Sequence, residues 1–299
     1  MDNKYDLAWF EQAWEEKWEE GRANHRQTWD QRAGQWEAKF RREGIRRQQN
    51  EQRIRDTAAW LRQRGLLTPE QDVADIGCGP GRFAAEFART SRRVLGVDLS
   101  PRMTEYGQAF AVEQGLSNIS FAAVDFQQAD VRELGWENSF DLVFSSITPA
   151  VRGKRGLDNL LAMSRAWCYN SCFVHSYNRL HDQVLEQVFQ RKPKACMTSH
   201  SHWFQELFNL LWLRGYYPRS DYYRQYRELP LAAEPETARE LVEYLLPEAE
   251  QTPDNIRRVL AFLRRQADDR GQVVEISECW YGILLWDVRE QLKPGAGRE

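Results

Sequence analysis

The chain has 299 residues, 42% hydrophobic and 28% charged, the composition of a globular protein with one large domain or two small ones. Forty-one Lys and Arg against 44 Asp and Glu leave a net charge of −3, which excludes binding of nucleic acid by bulk charge alone but not through a local basic patch. Mean hydropathy is −0.71, and no apolar run approaches the ~20 residues of a spanning helix, so no membrane partner is expected.

The start, MDNKYDLAWF, lacks a basic segment followed by an apolar one, so a cytoplasmic location is expected. Cys78, Cys168, Cys172, Cys196 and Cys279 form no C-x-x-C, which argues for reduced structural thiols and against a zinc site. His200 and His202 are the closest histidine pair and read as surface residues; no metal is expected. Tryptophan is abundant, with five of 12 before residue 40: Trp9, Trp14, Trp18, Trp29 and Trp36.

The first 65 residues read as helices. Phe10, Trp14 and Trp18 recur at i, i+4, i+8 among glutamates, an amphipathic stripe. A second helix is expected from Thr28, where T-W-D-Q has capping-box form, with Trp29, Ala33, Trp36 and Phe40 on one side. A third carries Ile54, Ala58 and Leu61 and stops near Gly65. From residue 72 the period changes. Short apolar strands are expected at 73–76, 94–97, 119–124, 140–144 and 172–176, with helices between them: one through Phe83 and Phe87, one opened by Ser100-Pro101, and one near 157–167. Strand alternating with helix at this spacing means βαβ units and a doubly wound α/β sheet, with the loops after the strands on one edge. Beyond 180 come two helical stretches, a tyrosine-rich extended segment from Tyr216 to Leu231, helices around 236–246 and 253–268, and a closing β-branched, aromatic segment at 272–288.

The chemistry-bearing motif is Val73-Ala74-Asp75-Ile76-Gly77-Cys78-Gly79-Pro80-Gly81-Arg82-Phe83. A strand runs into G-x-G-x-G and then a helix, so a ligand can lie against bare backbone at the helix N-terminus. Asp98, at the end of the next strand, is placed to accept hydrogen bonds from two ribose hydroxyls. Together they indicate an adenosine-type cofactor. The dinucleotide fingerprint asks for a small residue at position 82, which is Arg, so NAD and FAD are disfavoured.

The stretch DVADIGCGPGRFA…VLGVDLSPRM…FDLVFSS resembles the class I, Rossmann-like S-adenosylmethionine (SAM)-dependent methyltransferases over roughly residues 72–178. The resemblance implies a mostly parallel seven-stranded sheet in a domain of 66–299. To it are added an N-terminal helical cap of 1–65 and a late helical lid or insert about 232–270. It implies SAM as cofactor. Asp75 and the Gly77, Cys78, Gly79 and Gly81 turn would hold the methionine part, and Asp98 with Leu99 the ribose. Adenine would fall to Asp125-Phe126, or to Asp130-Val131 in a related pattern. The loop after the fourth strand, with Ser145, Ser146 and Thr148, would lie beside the methyl. It lacks the Asn/Asp-Pro-Pro-aromatic tetrapeptide of members that methylate amino groups of bases or glutamine. No pattern fixes a base; Ser146, His175 and Tyr177 are the candidates.

A small-molecule acceptor is the leading expectation, its pocket drawn from the N-terminal aromatic helices, the loop after Phe144, and Tyr216, Tyr217, Tyr222, Tyr223 and Tyr226, which read equally as an amphipathic hairpin. An RNA or protein acceptor would use the basic stretch Arg41, Arg42, Arg46, Arg47, Arg53 and Arg55, otherwise a solvated helix face. A SAM-binding protein without catalysis is the third reading. Trp29, Arg32 and Trp36 could close the site, an aromatic face attracting a sulfonium by ~0.5–2 kcal/mol.

Overall fold

A computed structural model describes residues 6–20, 26–41, 45–193 and 201–292. Three helices, α1 (Leu7–Glu20), α2 (Arg26–Arg41) and α3 (Ile45–Gln63), precede the first strand. Then follow β1 (Asp72–Ile76), α4 (Arg82–Ala88), β2 (Arg93–Asp98), α5 (Pro101–Glu113), β3 (Ile119–Ala123), β4 (Phe140–Ser146), α6 (Gly153–Met163) and β5 (Ser164–Asn178). The remainder is α7 (Arg179–Gln187), α8 (Ser201–Leu213), β6 (Arg219–Ala232), α9 (Pro235–Leu245), α10 (Pro253–Gln266) and β7 (Gln272–Asp287). The strands form one seven-stranded sheet in the order β3-β2-β1-β4-β5-β7-β6, and the pairs β3–β2, β2–β1, β1–β4 and β4–β5 are parallel. The chain leaves β1 toward β2 and later returns to β1's other side with β4. That reversal falls at the carboxyl ends of β1 and β4, the position at which open α/β sheets bind ligands.

The chain divides into two compact units: Met1–Cys172 with His202–Asp221 and Gly282–Glu299, and Phe173–Ser201 with Tyr222–Tyr281. In the first, β1 is buried at every position, as a central parallel strand must be. Ala74, Ile76, Val97, Val143 and Trp286 join Trp14 of α1, Leu157 and Leu160 of α6 and Leu210 of α8 in one core. Trp14 also donates its indole N–H to the Gly153 carbonyl at 3.1 Å, so the second tryptophan of the chain is a core residue. Elsewhere in this unit the rings of Phe83, Phe87, Phe144 and Tyr169 pack in series, Phe144 stacking on Tyr169 at 4.5 Å. The second unit has its own core of Leu180, Val184, Val242, Val259, Phe262 and Val273.

Several local signals act as expected. Ser100 caps α5, its hydroxyl accepting from the Met103 amide at 3.2 Å, and Thr252 caps α10 through Asn255. Two boundaries differ. α2 already runs from Arg26, so Thr28 lies inside its first turn and is not the cap. The expected helix near 157–167 stops at Met163, because the backbone of 164–171 is taken by the parallel ladder to β4, with Leu142 opposite Trp167 and Ser146 opposite Ser171. No helix among the described residues is long and apolar enough to cross a membrane. Of the residues singled out in the sequence, Cys196 and His200 and the side chains of Trp18, Arg42 and Arg46 lie outside the described set.

Candidate functional site at the carboxyl edge of the sheet

The glycine turn follows β1 directly. Gly77, Gly79 and Gly81 have φ of 70°, 53° and 71°, the left-handed region that favours glycine. Their surroundings separate them. A Cβ on Gly77 would fall 1.9 Å from the Thr148 hydroxyl, and one on Gly81 would fall 2.6 Å from the Phe121 ring; these two are glycine because the protein packs against them. A Cβ on Gly79 would meet nothing within 4 Å, so this glycine alone borders open space. The turn is pinned by the Gly77 and Cys78 amides, which both donate to the Val97 carbonyl.

Two carboxylates flank the turn. Asp98 accepts from the Gly79 amide and from the Ser100 amide, each at 2.9 Å. Burial raises its pKa above the ordinary value, opposed by those amides and by that of Leu99. Asp75 is 2% exposed, and its Oδ2 has no hydrogen-bond partner. Burial pushes its pKa up to about 8, the Ala84 amide acting against this and the charge of Asp98 adding to it. A buried carboxylate without a cation is costly, and one oxygen of Asp75 is left without a hydrogen-bond partner within the chain. The Cys78 thiol is also pushed well up by burial, so it is no nucleophile.

Beyond β3, Asp125 is exposed and accepts from the Gln127 amide, while Val124 just before it donates to the Asp98 carbonyl. Phe126 is buried. Asp130 turns away to cap the amides of Arg132 and Glu133. Of the two, Asp125 is the one next to the β2 edge.

The edge after β4 is built differently. Ser145 is fully buried, its hydroxyl donating to the Tyr169 carbonyl and accepting from Asn170 Nδ2. Its side chain serves the sheet. Ser146 is half-buried, bonded to Ser171 Oγ at 2.9 Å, and receives Arg53 Nη1 of α3 at 3.4 Å. Ile147 follows at φ 53°, a β-branched residue in a left-handed conformation costing of order 1–3 kcal/mol. Such strain persists where the surroundings enforce it: Ile147 N–H is bonded to Ser171 O at 2.8 Å, and Thr148 is seated on Gly77.

Arg53, expected only as one cation of the basic stretch, instead reaches Ser146. The available signal was its helical row: Arg53, Thr57 and Trp60 flank the Ile54–Ala58–Leu61 stripe, and all three are half-buried. Arg82 was likewise read only as an obstacle to dinucleotides. It forms a buried ion pair with Glu37 of α2 at 2.7 Å, and its guanidinium lies 3.6 Å from the Phe110 ring centroid. With the Asp30–Ser100 hydroxyl bond at 2.5 Å, that pair fixes α2 beside the glycine turn. Trp29 and Arg32 stand on this helix, with Arg32 5.8 Å from the Trp29 ring centroid.

Residues 73–168 match the family model described as "Methyltransferase domain". Over these residues the chain carries a methyltransferase domain. A curated relative, the 23S rRNA (uracil(1939)-C(5))-methyltransferase RlmD of Klebsiella pneumoniae subsp. pneumoniae, is 28% identical over 155 residues, 51% of this chain and 34% of that protein. The corresponding protein of Marinomonas posidonica is 33% identical over 91 residues, 30% of this chain and 19% of that one. The chain thus spans about a third or less of the length of the curated relatives it matches. Among solved structures, magnesium protoporphyrin IX methyltransferase from Synechocystis with bound S-adenosylhomocysteine aligns at 22% identity and a TM-score of 0.44 over 59% of this chain and 78% of that one. A putative methyltransferase from Bacillus halodurans aligns at 12% identity and 0.48 over 78% and 99%.

SAM is the cofactor of this domain type, and the residues of the methyltransferase domain suit it. SAM is cationic at sulfur and at its amino group, which matches an orphaned Asp75 oxygen and an open face at Gly79. A pyrophosphate would instead meet two carboxylates, Asp75 and Asp98, at the turn. His175 and Tyr177 belong to the second unit. Tyr216 is in the first unit's core, Tyr217 is exposed, and β6 alternates exposed and half-buried positions through Tyr222, Tyr223 and Tyr226. Among the described residues no group of three His, Cys, Asp or Glu could hold a metal.

Proposed function

We propose that this protein transfers a methyl group from SAM to a small-molecule acceptor. The single observation that supports the cofactor half best is Asp75, a buried carboxylate with an unpaired oxygen beside the one glycine of the turn that borders open space. In this reading Asp75 and Gly77, Cys78, Gly79 and Gly81 hold the methionine part, Asp98 and Leu99 the ribose, and Asp125 with Phe126 the adenine. Trp29 and Arg32 of α2 border the same edge. SAM supplies an already activated methyl, so the chain must bind, align and desolvate the acceptor rather than generate a reactive group. Ser146 is the candidate to orient it, since its hydroxyl is half-buried and held by Ser171 and Arg53. Ser145, with its hydroxyl spent inside the sheet, would contribute backbone only.

The names of the curated relatives favour a second reading, an RNA acceptor. The state of the basic stretch weighs against it. Arg41 pairs with Glu37 and Glu113, Arg47 and Arg55 with Glu51, and Arg53 turns to Ser146, so these four are not a row of cations awaiting phosphates. Incubation with methyl-labelled SAM and a fractionated cell extract separates the readings. Label is expected in the low-molecular-weight fraction; label in RNA that disappears on ribonuclease treatment would establish the second reading, and no label in any fraction would leave a binding protein.

A further inference from the structure

Six residues after Ser146, where the loop after β4 becomes α6, stands Arg152. The loop is tied down on both sides of it. The Arg152 amide donates to the Pro149 carbonyl at 3.0 Å, and Gln127 Nε2 donates to the carbonyls of both Pro149 and Arg152, at 3.0 and 2.8 Å. The Arg152 guanidinium lies over the Trp203 ring and beside the Cys172 thiol. Among the described residues no carboxylate pairs with it.

Its neighbours in sequence are all committed. Lys154 pairs with Asp158 at 2.8 Å, and Arg155 donates to the carbonyls of Gln128 and Ala129. Nearby Arg214 is held by Glu11 and Asp158. Arg152 is the exception, and its position makes the exception costlier. It is the N-cap of α6, where the helix dipole disfavours a cation, and α6 has no acidic residue in its first turn. Burial lowers its pKa to about 9, and Cys172, held at about 12 by burial, offers no negative charge at neutral pH. Arg152 is half-buried, and a guanidinium partly withdrawn from water without a counter-ion is stabilised by a ligand that supplies one.

We propose that Arg152 binds the carboxylate of the methyl acceptor, and hence that the acceptor is a small carboxylic acid carried as a monoanion. This rests on the small-molecule reading above and names the class of that molecule. One guanidinium matches one carboxylate in a bidentate pair. A phosphate monoester would bring about 1.5–2 negative charges, and the adjacent Lys154 and Arg155 are already engaged. Trp203 would give the acid's apolar part a flat surface.

The test uses full-length protein saturated with S-adenosylhomocysteine, titrated at constant ionic strength with benzoate, benzamide or phenyl phosphate and followed by thermal shift and calorimetry. Benzoate is expected to stabilise saturably, phenyl phosphate more weakly, and benzamide not at all. Arg152→Gln is expected to raise the benzoate midpoint by about tenfold or more, the scale of one charge-assisted pair, while the S-adenosylhomocysteine dissociation constant stays within about twofold. Arg152→Lys, which keeps the charge but not the fork, should fall between and serves if the Gln variant does not fold. The proposal is overturned if benzoate and benzamide behave alike, if phenyl phosphate binds more tightly than benzoate, or if both variants keep the wild-type midpoint. Failure of the wild type to bind S-adenosylhomocysteine would instead overturn the cofactor reading.

Discussion

The two ends of strand β1 carry the same residue type in opposite states. Asp72, where the strand begins, accepts from Arg92 at 2.9 and 2.7 Å, from Arg93 at 3.1 Å and from Arg165 at 3.4 Å, and these partners hold its pKa below the ordinary value. Asp141, at the same end of β4, is forked by Arg165 at 2.7 Å and lowered in the same way. Three residues along β1, Asp75 has no cation, one unpaired oxygen and a raised pKa. Asp98, at the carboxyl end of β2, is raised as well. Carboxylates that are neutralised belong to the structure. Carboxylates left buried and unneutralised at the ligand edge reduce stability, and a cationic ligand that binds there restores it.

The contrast can be broken by substitution, and the largest effect should come from Asp98. Asp98→Ala removes two acceptor oxygens from the ribose position, and at ~1.5–3 kcal/mol for a hydrogen bond to a charged group the SAM dissociation constant should rise about 100-fold. Calorimetry measures it, and an unchanged constant would remove Asp98 from the site. At the opposite end, Asp72→Asn should cost ~1–3 kcal/mol of folding stability at pH 7 and leave SAM affinity unaltered. Because its folded pKa is lowered, that contribution is present above the unfolded pKa and lost as pH falls. Wild type and variant should therefore converge in acid, as chemical denaturation across pH would show.

Asp75→Asn should behave in the reverse sense. With a folded pKa of about 8 against an unfolded value near the ordinary one, Asp75 penalises the ligand-free fold progressively as pH rises through that window. The variant should be the more stable protein at pH 8 and about equal to wild type at pH 4, while binding SAM about tenfold more weakly for loss of one ion pair. A variant less stable than wild type at pH 8 would show that Asp75 is paired. The smallest effect is expected at Ile147. Relief of its left-handed backbone in Ile147→Gly, of order 1–3 kcal/mol, is offset by lost side-chain packing, so folding stability measured by denaturation should shift by less than about 1 kcal/mol while turnover falls.

How much of this was legible in the sequence follows the same division. Backbone-driven features were readable: the strand, the glycines and the Ser100-Pro101 cap each impose φ/ψ values that only certain residues meet. The glycine turn after Asp75 and the strand end at Asp98 were therefore visible. Features made by side chains reaching across the fold were not. Arg53 looked like one cation in a basic run, yet it spans 93 positions of sequence to Ser146. Arg82 excluded a dinucleotide by its position, but its pairing with Glu37 depends on where α2 packs. Ser145 was expected among the cofactor contacts because its strand ends there, while its hydroxyl is drawn into the β4–β5 pairing by Tyr169 and Asn170. The end of α6 was misplaced for a similar reason: Ser164-Arg165-Ala166-Trp167 contains no helix breaker, and only the β4 ladder claims it as strand.

In the proposed reading the carboxyl edge of β1 and β2 is a site for SAM and not for a dinucleotide. Equilibrium dialysis of the purified chain against labelled SAM, with NAD as competitor, tests it most directly. One SAM is expected per chain, with no displacement by NAD. Saturable binding of NAD, or displacement of SAM by it, would contradict the reading of Asp75, Gly79 and Arg82 on which the rest depends.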